Sequence, residues 1–149
     1  MTLPTTDLAL MAGAAYVSNR KLENRFPAPN GWKTTTYAEP TDGGSGFEAI
    51  AFIRTGTELK TSPEIVISYT GTNGDGDMPE NLAIAAGKFS EQLMQAAQYY
   101  LDIKALAPKD ANITFTGHNL DGGLAALGFV NQVLTPKDAS ARFGVGCIF

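Results

Sequence analysis

The sequence predicts an α/β fold: a mixed sheet with central parallel strands, flanked by helices. Three observations predict it. Residues 64–69, Glu-Ile-Val-Ile-Ser-Tyr, are a β-branched run behind the breaker Ser62-Pro63, the pattern of a buried central strand. Residues 88–107 carry apolar side chains at helical spacing. Residues 112–116 read as another strand that runs straight into a glycine-flanked turn and a second apolar stretch. Strands and helices in that alternation indicate an α/β order.

Taken along the chain, Thr5 or Thr6 would cap a first helix, with Asp7 in the first turn favoured by the helix dipole. Leu8, Met11, Ala12 and Ala15 fall on one face of it. The stretch Phe26-Pro-Ala-Pro-Asn-Gly31 ends it, since proline cannot continue a helix and Asn-Gly favours a turn. Residues 32–37 predict a threonine-rich strand, Asp42-Gly-Gly-Ser-Gly46 a turn, and residues 47–54 a strand mixed on both faces. After residues 64–69 the glycines at 71, 74 and 76 predict a polar loop. Leu93, Ala96, Ala97, Tyr100, Ile103 and Leu106 make the stripe of the long helix, which Pro108 stops. Of Tyr99 and Tyr100, one is expected in the core and one at the surface. A further helix over residues 120–134 ends at Thr135-Pro136, and residues 142–149 predict a last strand.

No repeat and no long linker divides the chain, so residues 1–149 are expected to form one domain. With 44% hydrophobic and 17% charged residues, a chain of this size buries roughly 70% of its unfolded surface and needs neither disulfide nor metal to fold. Eleven basic and fifteen acidic residues give a net charge of −4. The basic ones are scattered, which argues against nucleic acid as a partner. No apolar run reaches the roughly 18 residues of a membrane span. The opening Met1-Thr-Leu-Pro-Thr-Thr-Asp7 has no basic region ahead of its apolar stretch, so no secretory signal is expected. That leaves the cytoplasm or a signal-independent route of export. The single cysteine, Cys147, excludes an internal disulfide. Asn73-Gly-Asp75-Gly-Asp77 has the look of a calcium loop, but its twelfth position is Ile84 and not a bidentate glutamate. No metal site and no cofactor is expected.

The chemistry concentrates at residues 117–123. A strand that feeds a helix through a tight glycine-flanked turn lifts one side chain onto an exposed corner at the helix N-terminus, where it can serve as a nucleophile. Here the turn reads Gly117-His-Asn-Leu-Asp-Gly-Gly123, between Ile113-Thr-Phe-Thr116 and Leu124-Ala-Ala-Leu127. This resembles the class 3 lipases, whose elbow runs strand, Gly-His-Ser-Leu-Gly-Gly, small-residue helix. Upstream, Ile65-Val-Ile-Ser-Tyr-Thr-Gly71-Thr72 is similar to that family's oxyanion strand. Asn24-Arg-Phe-Pro-Ala-Pro-Asn-Gly-Trp32 is similar to the N-terminal region of its bacterial members. The similarity spans about residues 7 to 130. It implies a partial α/β-hydrolase sheet and an acyl ester or lipid-like small molecule as substrate.

Two departures bear on activity. Asn119 stands at the nucleophile position and Asp121 at the glycine after Ser-Leu. An amide has no ionisable hydroxyl or thiol, so the acyl-enzyme route loses its attacking atom. Loss of such a serine costs about a million-fold in turnover, near 8 kcal/mol. An oxyanion hole alone is worth about a thousand-fold over water. By the resemblance its donors would be the backbone N–H of Leu120 and the backbone or hydroxyl of Thr72. Asp121 sits where the helix dipole favours a negative charge, yet it would repel a developing oxyanion. The thirty residues after Asn119 hold no histidine, and beyond the turn's own Asp121 their single acid is Asp138. The resembled order of serine, aspartate and histidine is therefore incomplete in residues 1–149, which suggests a truncated hydrolase domain. His118 is expected to hydrogen-bond beneath the turn, with proton transfer as the alternative. Asn119 would serve as a corner residue tolerant of positive φ.

Two functions are consistent with these residues. One is a lipase- or esterase-like carboxylic ester hydrolase with impaired or non-standard catalysis at His118, Asn119 and Asp121. There the nucleophile would be a water held by His118 and Asp121, or a serine such as Ser45 or Ser68. The other is a non-catalytic pseudoenzyme that binds acyl ligands or forms a homodimer through an edge strand at residues 142–149.

Overall fold

The β-branched run folds as the sequence predicts, into a strand at Glu64–Tyr69 that occupies the middle of a mixed sheet. In the computed structural model, residues 3–17, 21–38, 45–55, 62–70, 82–117 and 146–147 are described, with 82–90 and 146–147 as backbone alone. The elements in chain order are α1 (Thr5–Ala14), a 3-10 turn (Leu22–Asn24), β1 (Lys33–Ala38), β2 (Ala49–Arg54), β3 (Glu64–Tyr69), α2 (Leu82–Leu106), β4 (Asn112–Gly117) and β5 (Gly146–Cys147). The sheet order is β1-β2-β3-β4-β5. The first two pairings are antiparallel and the last two parallel. This is an α/β architecture, with α2 as the crossover that parallel β3 and β4 require.

Period-two alternation divides the strands between two cores. Ala49, Ala51, Ile65, Ile67, Tyr69, Ile113 and Phe115 face α2, where they meet Ala96, Tyr99, Tyr100 and Ile103. Ile50, Phe52 and Val66 face α1 and meet Leu8, Met11, Ala14, Ala15 and Trp32. Both faces of β2 and β3 are thus buried, which is why these strands carry almost no polar side chains. At the end of β2, Arg54 pairs with Glu64 and lies 4.5 Å from the centre of the Trp32 ring, whose N–H donates to Asp7. Gly31 and Gly46 adopt φ of 84° and 76°, the left-handed conformation their two predicted turns need.

Four expectations are corrected. Neither Thr5 nor Thr6 caps α1. Pro4 does, with no side-chain hydrogen bond, its ring presetting the backbone ahead of the first turn. The long helix begins at Leu82, six residues earlier than the stripe alone predicts. Leu106 is exposed, while Ile103 before it and Ala107 after it make the contact with the core. Tyr99 and Tyr100 are both buried. The Tyr99 hydroxyl reaches across the sheet to donate to the Thr36 carbonyl at 2.9 Å, and Tyr100 packs on Phe115 at 5.5 Å between ring centres. The predicted helix at residues 120–134 and the loop at residues 73–77 lie outside the described residues. Of the predicted strand at residues 142–149, Gly146 and Cys147 are described and pair in parallel with Thr116 and Gly117.

The tyrosines of the α2 core make a prediction about alkali. Burial holds the Tyr69 hydroxyl, which donates to the Ala96 carbonyl at 3.0 Å, far above the usual phenol range. Burial likewise pushes Tyr99 up to about 12. In the unfolded chain both would release their protons near pH 10. Their contribution is therefore whole below pH 10, and it is lost as pH rises from 10 through the folded values. Urea midpoints should fall steeply between pH 10 and pH 12, and a Tyr69→Phe/Tyr99→Phe chain should show a shallower fall. Equal slopes in the two chains would contradict this.

Candidate active site

β3 and β4 run in parallel with Tyr69 opposite Gly117 and Ser68 opposite Thr116. Adjacent strands lie about 4.8 Å apart, so the chain leaves both strands at one height on one end of the sheet. From β3 it departs through Thr70 towards Gly71 and Thr72. From β4 it departs at Gly117 into His118, Asn119, Leu120 and Asp121. β5 flanks β4 on its other side, with Cys147 opposite Gly117. The strand that carries the glycine turn is therefore held on both edges up to its last residue. Thr72, His118, Asn119, Leu120 and Asp121 themselves lie outside the described residues. What the structure places is the pair of strand ends from which they start.

The end of β3 is fixed by its antiparallel neighbour. Thr70 donates its N–H to the Glu48 carbonyl at 3.0 Å and its hydroxyl to the same oxygen at 3.1 Å. In return the Glu48 N–H donates to the Thr70 hydroxyl at 3.2 Å. The Glu48 side chain is buried, and its Oε2 accepts from the Val17 N–H at 3.0 Å and the Tyr37 hydroxyl at 3.1 Å. Beneath β4, the Thr116 hydroxyl donates to the Leu8 carbonyl of α1 at 3.3 Å. Sequence reasoning missed Glu48. The available signal was a single carboxylate within an otherwise apolar run, Phe47-Glu-Ala-Ile-Ala-Phe52, since a buried charge must be paired or hydrogen-bonded.

The two serines considered as substitute nucleophiles do not gain a base. Ser45 is hydrogen-bonded to Gln95 and to the Phe47 N–H, and its carbonyl accepts from Gln92 at 2.6 Å. Ser68 is wholly buried, and among the described residues its hydroxyl has no partner. Among the described residues neither is hydrogen-bonded to an imidazole or a carboxylate, the groups that would take its proton. Also among the described residues, no cluster of three or more His, Cys, Asp or Glu could hold a metal ion. No helix there is long and apolar enough to cross a membrane.

In open α/β sheets the carboxyl ends of parallel strands are where ligands bind, and this is the end at which β3 and β4 finish level. The family model described as Phospholipase-like, a Tle-like phospholipase domain, matches residues 7–135. No curated protein and no solved structure matches the chain.

Proposed function

Since the chain belongs to the Tle-like phospholipase domain family, we propose that it is a lipid-ester site of the class 3 lipase, α/β-hydrolase type whose hydrolysis is impaired at the nucleophile. Residues 1–149 act as one such unit. The observation that carries this is the register of β3 on β4, Tyr69 against Gly117. It brings level the two strand ends from which the chain continues to Gly71 and Thr72 and to residues 118–123. An ester carbonyl bound there would receive the backbone N–H of Leu120 and the backbone or hydroxyl of Thr72. Asn119 occupies the attacking position without an atom able to form an acyl-enzyme. On this reading His118 would support the turn, and Asp121 would bring a negative charge near the carbonyl oxygen.

A p-nitrophenyl ester assay of the unmodified chain, run beside a fluorophosphonate serine probe, tests this reading. The expected result is no probe labelling and turnover no more than about a thousand-fold over the uncatalysed rate. Robust turnover that survives a His118→Ala/Asn119→Ala double substitution would refute the elbow as the site. A second reading, an acyl-binding protein that pairs with another copy along residues 142–149, is favoured by the position of β5 as the last strand of the sheet. A purely monomeric light-scattering profile over a wide concentration range would contradict that pairing.

A further inference from the structure

The large apolar side chains exposed among the described residues fall into two groups. Met94, Leu101 and Leu106 stand along α2, where their charged neighbours Glu91, Asp102 and Lys104 are mixed in sign. Leu10, Leu22 and Phe26 form the other group, at α1. The Phe26 ring lies directly on the α1 backbone at Gly13, where a Cβ would stand 2.5 Å from it. Leu10 is one turn earlier on that helix, and residues three apart share a face. Leu22 opens the 3-10 turn just ahead of Phe26 and is 79% exposed. Seating it on an apolar medium would therefore take most of a leucine side chain out of water.

Exposed Lys21 and Arg25 flank Leu22 and Phe26, with Glu23 the one acid between them. The chain as a whole carries a net charge of −4. An anionic surface would repel most of the molecule and turn this edge towards itself. Apolar side chains rimmed by bases are the pattern of a segment that lies in the interface of an anionic bilayer. α1 is also fastened to the sheet at the carboxyl ends of β3 and β4. The Leu8 carbonyl accepts from Thr116, and the Val17 N–H reaches Glu48, whose backbone holds Thr70. A lipid surface on the outer side of α1 thus lies about one helix diameter, roughly 10 Å, from those strand ends. We propose that Leu10, Leu22 and Phe26, with Lys21 and Arg25, form the surface by which the chain seats on an anionic lipid bilayer. The choice of lipid as occupant rests on the lipid-ester reading, but seating needs no hydrolysis, so either can fail alone.

Co-sedimentation of the unmodified chain with vesicles of phosphatidylglycerol and phosphatidylcholine in equal parts tests the proposal. The chain should bind in low salt, and lose most of that binding in high salt and on vesicles of phosphatidylcholine alone. Leu22→Ser should lower the partition coefficient by roughly 10-fold. Lys21→Gln/Arg25→Gln should lower it by roughly 25-fold, about 5-fold for each charge near an anionic surface. Because Leu22 lies outside both buried clusters, its substitution tests the surface without unfolding the chain. Met94→Ser/Leu101→Ser, a comparable apolar loss on α2, should bind as the unmodified chain does. No binding to the anionic vesicles, full binding by Leu22→Ser, or an equal loss from the α2 change would overturn the proposal. A concentration-dependent dimer that Leu22→Ser abolishes, without vesicle binding, would give the surface to a second copy and overturn it too.

Discussion

A chain carrying Asn119→Cys and Asp121→Gly should release one equivalent of p-nitrophenolate in a burst and retain the acyl group as a thioester on Cys at position 119. The thiol supplies what the asparagine lacks, and it needs less help than serine, being partly ionised near neutral pH and intrinsically nucleophilic. The helix N-terminus expected after the turn would lower its pKa further. On the proposed reading the thiolate would attack the ester carbonyl, negative charge would collect on the oxygen that Leu120 and Thr72 are proposed to bind, and p-nitrophenolate would leave as the thioester forms. Removing Asp121 takes away a like charge that would oppose that oxyanion. Acylation should run at least about 100-fold faster than in Asp121→Gly alone, well inside the roughly million-fold worth of a nucleophile at such a turn. Because Cys147 is present in both chains, the difference isolates position 119. Acylation no faster than in the same chain unfolded in urea would mean that the turn holds no oxyanion site.

The largest effect on stability should come from Phe52→Ala. Phe52 is fully buried in the face of β2 that meets α1, among Met11, Trp32, Ile50 and Val66. Truncation removes most of a ring's transfer energy and leaves a cavity that the sheet cannot collapse to fill, because β1 and β3 pin β2 on both edges. Such changes cost about 3–5 kcal/mol, against a total of some 5–15 kcal/mol for a typical domain. At this size that is roughly a 10 °C fall in Tm. A loss below about 1 kcal/mol in urea unfolding would place Phe52 outside the core.

The strands that frame the site were the most legible part of the sequence. Glu64–Tyr69 and the strand ending at Gly117 could be read because burial on both faces demands unbroken β-branched and aromatic runs. The glycine turn after β4 rests on the sequence alone, since residues 118–123 lie outside the described residues. The early start of α2 was not legible, because Gly87 stands in the first turns and reads as a breaker. Nor was the burial of Tyr99, whose partner Thr36 lies 63 residues away on the edge strand. Glu48 escaped for the same cause: its partners are 31, 11 and 22 residues distant, and no local periodicity reports them. For Thr72, His118, Asn119, Leu120 and Asp121 the sequence supplies identities and a resemblance. The structure supplies the register that brings the two strand ends preceding them to one end of the sheet.

That convergence is the central claim, and an amide-resonance titration of the unmodified chain tests it most directly. The ligand is a lysophospholipid analogue with an amide in place of the ester, kept below its micelle concentration so that a single carbonyl is presented without chemistry. If the ends of β3 and β4 form the ester site, the N–H resonances of Gly71, Thr72, Asn119 and Leu120 shift together with one saturation curve. Saturable shifts that spare all four, or that appear at the Arg54–Glu64 end of the sheet, would contradict it.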